Sequence, residues 1–173
     1  MEVIKISLLQ ETDTEELYQF ELENRTFFER MVLTRRNEYY DPTVFKSIMK
    51  ELVEDQEEGC HYMYLNKDSM ENIIGRVNLV SIARGCFNKA ELGYRIGEVY
   101  NGKGYATRAV GMVLEEAQYI HKLLRIEAGI SPENIGSQIL LIKNGFQFFG
   151  RNHQYIYQNR RWHDSINFEK ILV

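Results

Sequence analysis

The sequence predicts a mixed α/β domain, and three observations carry that prediction. The apolar period switches from helical to alternating and back along the chain. Three strand segments follow one another directly and lead into a helix–strand–helix unit. A glycine-rich turn sits between a strand and the strongest helical stripe. The sheet is then partly antiparallel, where strands are consecutive, and partly joined by crossover helices.

Residues 3–9 alternate weakly and read as a first strand. A helical segment covers 14 to about 28, with Leu17, Phe20 and Phe27 as its stripe. The next helix is better marked: Asp41 suits an N-cap and Pro42 suits the first turn. Val44, Phe45, Ile48, Met49, Leu52 and Val53 then share one face, and Lys50, Glu51, Glu54 and Asp55 the other. From Gly59 the period falls to two. Residues 62–65, 73–83 and 90–97 read as three strands of a meander, with a polar turn at 67–72. Ala106, Ala109, Val110, Val113, Leu114, Ala117 and Ile120 give the best helix of the chain. A strand at 124–130 and a short helix at 135–143 follow, the helix stopped by Asn144-Gly145. Two last strands, near 146–158 and 162–172, meet at a turn around Asn159-Arg160-Arg161.

The chain has 173 residues and only two prolines, with no repeat and no low-complexity linker, so a single domain over 1–173 is expected. At 44% apolar it can bury a continuous core. With 21 basic against 25 acidic side chains the formal charge is −4, which argues against bulk nucleic-acid binding. No apolar run approaches the ~18 residues that cross a bilayer. Residues 1–5 lack the basic flank and apolar stretch of a signal peptide. Cys60 and Cys86 cannot build a disulfide framework, and His61, His121, His153 and His163 are scattered without zinc spacing. A cytoplasmic location with reduced thiols, and no metal, is the expectation.

Asn101-Gly102-Lys103-Gly104-Tyr105-Ala106-Thr107 is the most informative stretch. Glycines there let successive N–H groups turn toward one point, and the following helix adds its partial positive charge. Such a turn suits a phosphate, with Lys103 and Arg108 to add compensating charge; it also suits a tight strand-to-helix turn with no ligand. Two nucleotide patterns fail. Residues 97–103 match the first seven positions of GxxxxGK[ST], but Gly104 replaces the hydroxyl that would hold magnesium. GxGxxG fails because Thr107 stands at its third glycine.

Ala90-Glu91-Leu92-Gly93-Tyr94-Arg95-Ile96 and the glycine-rich turn together resemble the acetyl-CoA motif of the GCN5-related N-acetyltransferase (GNAT) superfamily. Arg125-Ile126-Glu127-Ala128, Pro132, Asn134, Ser137 and Lys143-Asn144-Gly145-Phe146 follow at the distances that resemblance leads one to expect. Within the superfamily the chain resembles the Rim-type branch, which includes ribosomal-protein N-terminal acetyltransferases. The motif-bearing part covers 73–172; the first 72 residues agree in element order alone.

The resemblance implies a GNAT fold: a mixed sheet of six to seven strands, a V-shaped splay between the fourth and fifth, and about four flanking helices. Acetyl-CoA is the implied co-substrate. Its arm would pair with the fourth strand near Arg95, Ile96 and Gly97, and its pyrophosphate would sit on the N–H groups of Asn101, Gly102, Lys103, Gly104, Tyr105, Ala106 and Thr107. The family pattern has Gln or Arg where this chain has Asn101. Asn134 matches a residue that contacts the cofactor arm.

The reaction needs a neutral amine, an oxyanion donor and a partner for the departing thiolate. Deprotonating an α-amine of pKa near 7.8 costs about 1 kcal/mol at pH 7, and a lysine near 10.4 about 4.6 kcal/mol. Glu91 is the leading base candidate: the resemblance places it just before a bulge of the fourth strand, where histone-acetylating relatives carry a catalytic glutamate. A solvated strand-edge charge is the alternative. Glu127 is expected to face Arg125 or solvent, with pointing into the gap from the fifth strand as the alternative. The N–H near Ile96 is the implied oxyanion donor, and Ser137 matches a serine proposed to stabilise or protonate the thiolate; a small helix residue packed against the cofactor is the alternative for it. Tyr94 and Tyr105 read as packing groups.

The acceptor pocket would draw on Phe27, Phe28, Arg35, Arg36, Tyr39, Tyr40, Tyr155, Tyr157 and Trp162. That set is aromatic and poor in acids, unlike a polyamine pocket. That set could accept a peptide N-terminus or equally be core; the Rim-type resemblance implies a protein or peptide N-terminal α-amine as acceptor, of the kind a ribosomal protein presents. A small-molecule amine and a non-catalytic CoA-binding module stay open as alternatives.

Overall fold

The computed structural model describes residues 3–31 and 34–173; Met1 and Glu2 of the N-terminal reading lie outside the described residues. Strand β1 (Lys5–Leu8) leads into helices α1 (Thr14–Glu23), α2 (Arg25–Met31) and α3 (Pro42–Glu57). The meander β2 (Tyr62–Lys67), β3 (Ile73–Ala83) and β4 (Lys89–Ile96) follows, then α4 (Tyr105–Tyr119), β5 (Arg125–Ile130), α5 (Ile135–Lys143), β6 (Gln147–Gln158) and β7 (Arg161–Ile171). They form one seven-stranded sheet in the order β1-β2-β3-β4-β5-β7-β6. Every pairing is antiparallel except β4 with β5.

The segment expected as one helix over 14 to 28 is two. Asn24 leaves helical geometry at ψ 3°, and its Nδ2 donates to the Phe20 carbonyl at 2.9 Å. A short polar side chain that competes for backbone groups is a common reason for a helix to stop. The expected caps of α3 are present: the Asp41 carboxylate accepts from Thr43 N at 2.9 Å and Val44 N at 3.1 Å, and Pro42 opens the helix. The last hairpin turns at Asn159 and Arg160, both with positive φ, a pairing that matches the twist of the flanking strands.

Two cores sandwich the sheet. On one face α4 and α5 bury Val77, Leu79, Leu92, Val110, Val113, Ile126 and Phe168; on the other α1–α3 bury Leu17, Phe20, Phe45, Met49, Met63 and Leu65. Ile120, expected in the α4 stripe, is exposed instead because the helix has already ended at Tyr119.

The decisive feature is the β4–β5 junction. The strands pair at Lys89–Arg125, Ala90–Ile126 and Glu91–Glu127, and then part. Beyond that rung β4 stays bonded to β3 up to Ile96, while β5 stays bonded to β7 up to Ile130. The expected splay is thus an observed gap, open from Leu92 and Ala128 onward.

Candidate active site

Three elements meet at the gap. The first is the loop into α4. Gly102 and Gly104 take φ of 73° and 83°, the left-handed region that glycine adopts without strain. A methyl group built on either would meet nothing within 4 Å, so backbone conformation, not crowding, requires these glycines. Gly104 caps α4 with no side chain of its own to accept from the first turn of the helix. Among the described residues no backbone acceptor is taken by the N–H groups of Lys103, Gly104, Ala106 and Thr107. Gly102 N–H, by contrast, donates to Asn101 Oδ1 at 3.0 Å, and Asn101 N–H to the Glu98 carbonyl at 3.1 Å. The N–H groups without a backbone acceptor therefore begin at Lys103.

Asn24 fixes the approach to this loop. Its Oδ1 accepts from Glu98 N at 2.8 Å, tying the α1–α2 junction to the end of β4. A Cβ on Gly97 would come within 3.1 Å of Phe20 and 3.2 Å of Asn24 Oδ1, so glycine there allows a close approach. The sequence reading missed Asn24, whose role depends on a contact 74 positions away.

The second element is the free edge of β4. Gly97 N–H donates to the Ile74 carbonyl at 2.9 Å. By the alternation of an antiparallel ladder, Gly97 and Arg95 therefore turn their main-chain groups to β3, and Ile96 and Tyr94 turn theirs to the gap. Of the three residues expected to pair with a cofactor arm, Ile96 alone is turned toward it. Gly97 also gives its carbonyl to Tyr100 N at 2.9 Å.

Side chains of β4 divide between the two faces. Leu92 and Tyr94 point toward α4, whereas Glu91 and Arg95 point toward α1. Glu91 is exposed, in register with Glu127 on the last paired rung. The irregularity beside it lies in β3, not in β4: three residue steps from Val80 to Ala83 face two in β4, and Ser81 takes φ 52°. Glu127 is engaged as expected, by Lys89 Nζ at 2.8 Å and Arg125 Nε at 2.6 Å. Those cations hold its carboxyl below the usual range against the opposing effect of burial.

Arg95 carries a charge cluster that no local signal announced. Its Nη1 lies 3.2 Å from Glu21 Oε2, and Arg76 Nε lies 3.1 Å from Glu21 Oε1. Glu21 is fully buried, and Arg76 is 1% exposed. Two guanidinium groups share one carboxylate, so the buried cluster carries a net positive charge beside β4. The Arg95 guanidinium also stacks over Phe28 at 5.1 Å.

The third element is the start of α5. Asn134 caps it, its Oδ1 accepting from Ser137 N at 3.0 Å. Ser137 is buried, and its Oγ lies 2.7 Å from Tyr94 Oη. Tyr94 is therefore more than a packing group. Of the expected acceptor residues, Phe28, Tyr39 and Tyr40 are core, while Tyr155, Tyr157 and Trp162 on the last hairpin are exposed. Among the described residues no three His, Cys, Asp or Glu side chains converge as a metal site, and no helix is long and apolar enough to cross a membrane.

Comparison with known proteins agrees with this geometry. Residues 4–147 match the family described as "Acetyltransferase (GNAT) domain". A probable N-acetyltransferase, YjcK of Bacillus subtilis, is 36% identical over 162 residues, covering 93% of this chain and 90% of its own. The ribosomal-protein-S5-alanine acetyltransferase of Vibrio fischeri superposes with a TM-score of 0.93 at 27% identity, covering 99% of this chain and 94% of that one. The spermidine N-acetyltransferase of Vibrio cholerae, solved with CoA and spermine, shares the fold at a TM-score of 0.82 and 18% identity, over 98% of this chain and 95% of its own.

Proposed function

The chain belongs to the GNAT acetyltransferase family and uses acetyl-CoA as co-substrate, and from that premise we propose that its acceptor is a protein or peptide N-terminal α-amine, of the kind a ribosomal protein presents. One observation carries the choice of acceptor: apart from Glu91, the base of this reading, the carboxylates beside the gap are already matched by cations. Glu21 is shared by Arg76 and Arg95, Glu127 by Lys89 and Arg125, and Glu169 is paired with Arg125. A polyamine needs unspent carboxylates for its second and third charges. Here the buried excess is positive, which disfavours any acceptor with a second cation in reach.

An α-amine also needs little help to lose its proton, about 1 kcal/mol at pH 7 against about 4.6 for a lysine. Glu91, exposed at the head of the gap, takes that proton directly or through water. The Ile96 N–H supports the carbonyl oxygen of the tetrahedral intermediate. Ser137 faces the sulfur that departs. The pyrophosphate rests on the N–H groups from Lys103 to Thr107, where a helix N-terminus favours anions. The chain works as a single domain in the cytoplasm, in keeping with two free, exposed cysteines.

A thiol-release assay tests the reading. Acetyl-CoA is offered with peptides beginning in alanine or serine, with the same peptides blocked at the N-terminus but carrying lysine, and with spermidine. Turnover of free N-termini at least tenfold above the other two is expected. Preference for spermidine or for lysine would remove the α-amine assignment.

A further inference from the structure

We propose that Tyr94 is a positioning residue for the departing sulfur: its phenol donates to Ser137 Oγ and so leaves the serine proton to point into the gap. This rests on the reading of Ser137 given above.

The two residues come from opposite sides of the splay. Tyr94 lies in the stretch of β4 that has lost its β5 partner, and Ser137 lies in the first turn of the helix that follows β5. Their oxygens are 2.7 Å apart, so this bond ties together the two walls of the gap. Ser137 is held twice. Asn134 fixes its main chain through the 3.0 Å bond from Ser137 N, and Tyr94 fixes its side chain. A serine gripped in this way presents its hydroxyl in one orientation before any ligand arrives, which is the condition for useful electrostatic stabilisation.

Each hydroxyl has one proton to give. The phenol is the more acidic donor and the aliphatic hydroxyl the better acceptor, so the 2.7 Å contact runs from Tyr94 to Ser137. Burial raises the phenol above its ordinary pKa, which keeps that proton in place at working pH. The serine proton is then spare. Hydrogen bonds in series strengthen one another as negative charge grows at the far end. In the reaction the nitrogen lone pair forms the C–N bond, the C–S bond breaks, and sulfur leaves with the electron pair. The amine proton passes to Glu91 or its water. Sulfur is bonded by Ser137 and takes its proton through that hydroxyl, which solvent resupplies. Tyr94 ends the cycle with the proton it began with.

The test titrates the thiol of bound CoA by its thiolate absorbance, a readout that needs no acceptor. Wild type is compared with Tyr94→Phe, Ser137→Ala and the double variant, with CoA affinity measured by calorimetry. In Tyr94→Phe the bound thiol titrates about half to one pH unit higher than in wild type, the size expected for one net hydrogen bond. Its kcat toward an alanine-starting peptide falls about tenfold, with KM for acetyl-CoA within about twofold. The double variant matches Ser137→Ala. An unshifted thiol in Tyr94→Phe, with Ser137→Ala shifted, overturns the role of Tyr94 alone. An unshifted thiol in Ser137→Ala removes the serine reading and this proposal with it. Equal losses from Tyr94→Phe with and without Ser137, or loss of CoA binding, would reduce Tyr94 to a structural part.

Discussion

The two ends of α4 differ in how their main-chain groups are satisfied. At the C-terminal end the protein satisfies itself: the Glu116 carbonyl accepts from Ile120 and His121, and the Ala117 carbonyl from Leu123. Arg84 Nη1 then donates to the His121 carbonyl at 2.6 Å, and His121 is stacked on Tyr62 with ring centres 3.5 Å apart. At the N-terminal end two left-handed glycines stand with open space above them, and four consecutive-turn N–H groups have no backbone acceptor among the described residues. Every helix begins and ends with unpaired main-chain groups. The protein closes one end with an arginine and two aromatic rings and leaves main-chain N–H groups at the other without a backbone acceptor, where the helix dipole favours an anion.

Placing a carboxylate at the open end should have the largest effect. Gly104→Asp forces a side chain into φ 83° and sets a negative charge where a diphosphate would rest. CoA affinity measured by calorimetry is expected to fall at least about 100-fold, with the far-UV spectrum retained. Unchanged affinity would break the contrast between the two ends.

The open end was also the legible end. A glycine requirement is a local property of the chain, so Gly102, Gly104 and the stripe of α4 can be read in order along the sequence. The α3 cap is legible for the same reason, because Asp41 and the N–H groups it binds lie within three residues. What stayed hidden is non-local. Glu21 gave no sign that it would meet Arg76 and Arg95, more than fifty positions away. Asn24 read as one more residue of a helix, yet it ends that helix and holds Glu98, ahead of the glycine-rich loop. Tyr94 fits an alternating strand whether or not its hydroxyl has a partner, and only the fold brings Ser137 to it. The direction of main-chain groups on β4, which separates Ile96 from Arg95 and Gly97, depends on register with β3.

The second prediction separates grip from chemistry. Glu91→Gln keeps size and polarity but cannot take a proton, so kcat should fall about tenfold or more with CoA affinity unchanged. Above about pH 8, where an α-amine is increasingly neutral, the deficit should shrink. A deficit constant with pH would place the base elsewhere, and no deficit would leave water as the proton acceptor.

The closed end makes a smaller prediction, read as stability. Burial first, and the charge of Arg84 second, push His121 down to about 4 from its ordinary 6.5. The unfolded chain therefore binds this proton more readily than the folded one. Its contribution is fully present above about pH 6.5 and is lost progressively as pH falls toward 4. Thermal midpoints should decline across that window, and His121→Gln should flatten the decline.

Arg84→Met tests the same seal from the other side. It removes a charge-assisted bond to a carbonyl at the helix end, which should cost about 1 kcal/mol at neutral pH in chemical denaturation. It also removes a repelling charge, so His121 should titrate higher and the acid decline should become shallower. CoA affinity should not change in either variant, since the proposed anion site lies at the far end of a 15-residue helix, about 22 Å away. A loss of affinity from Arg84→Met would mean that the two ends are coupled, and that the seal helps set the loop it never touches.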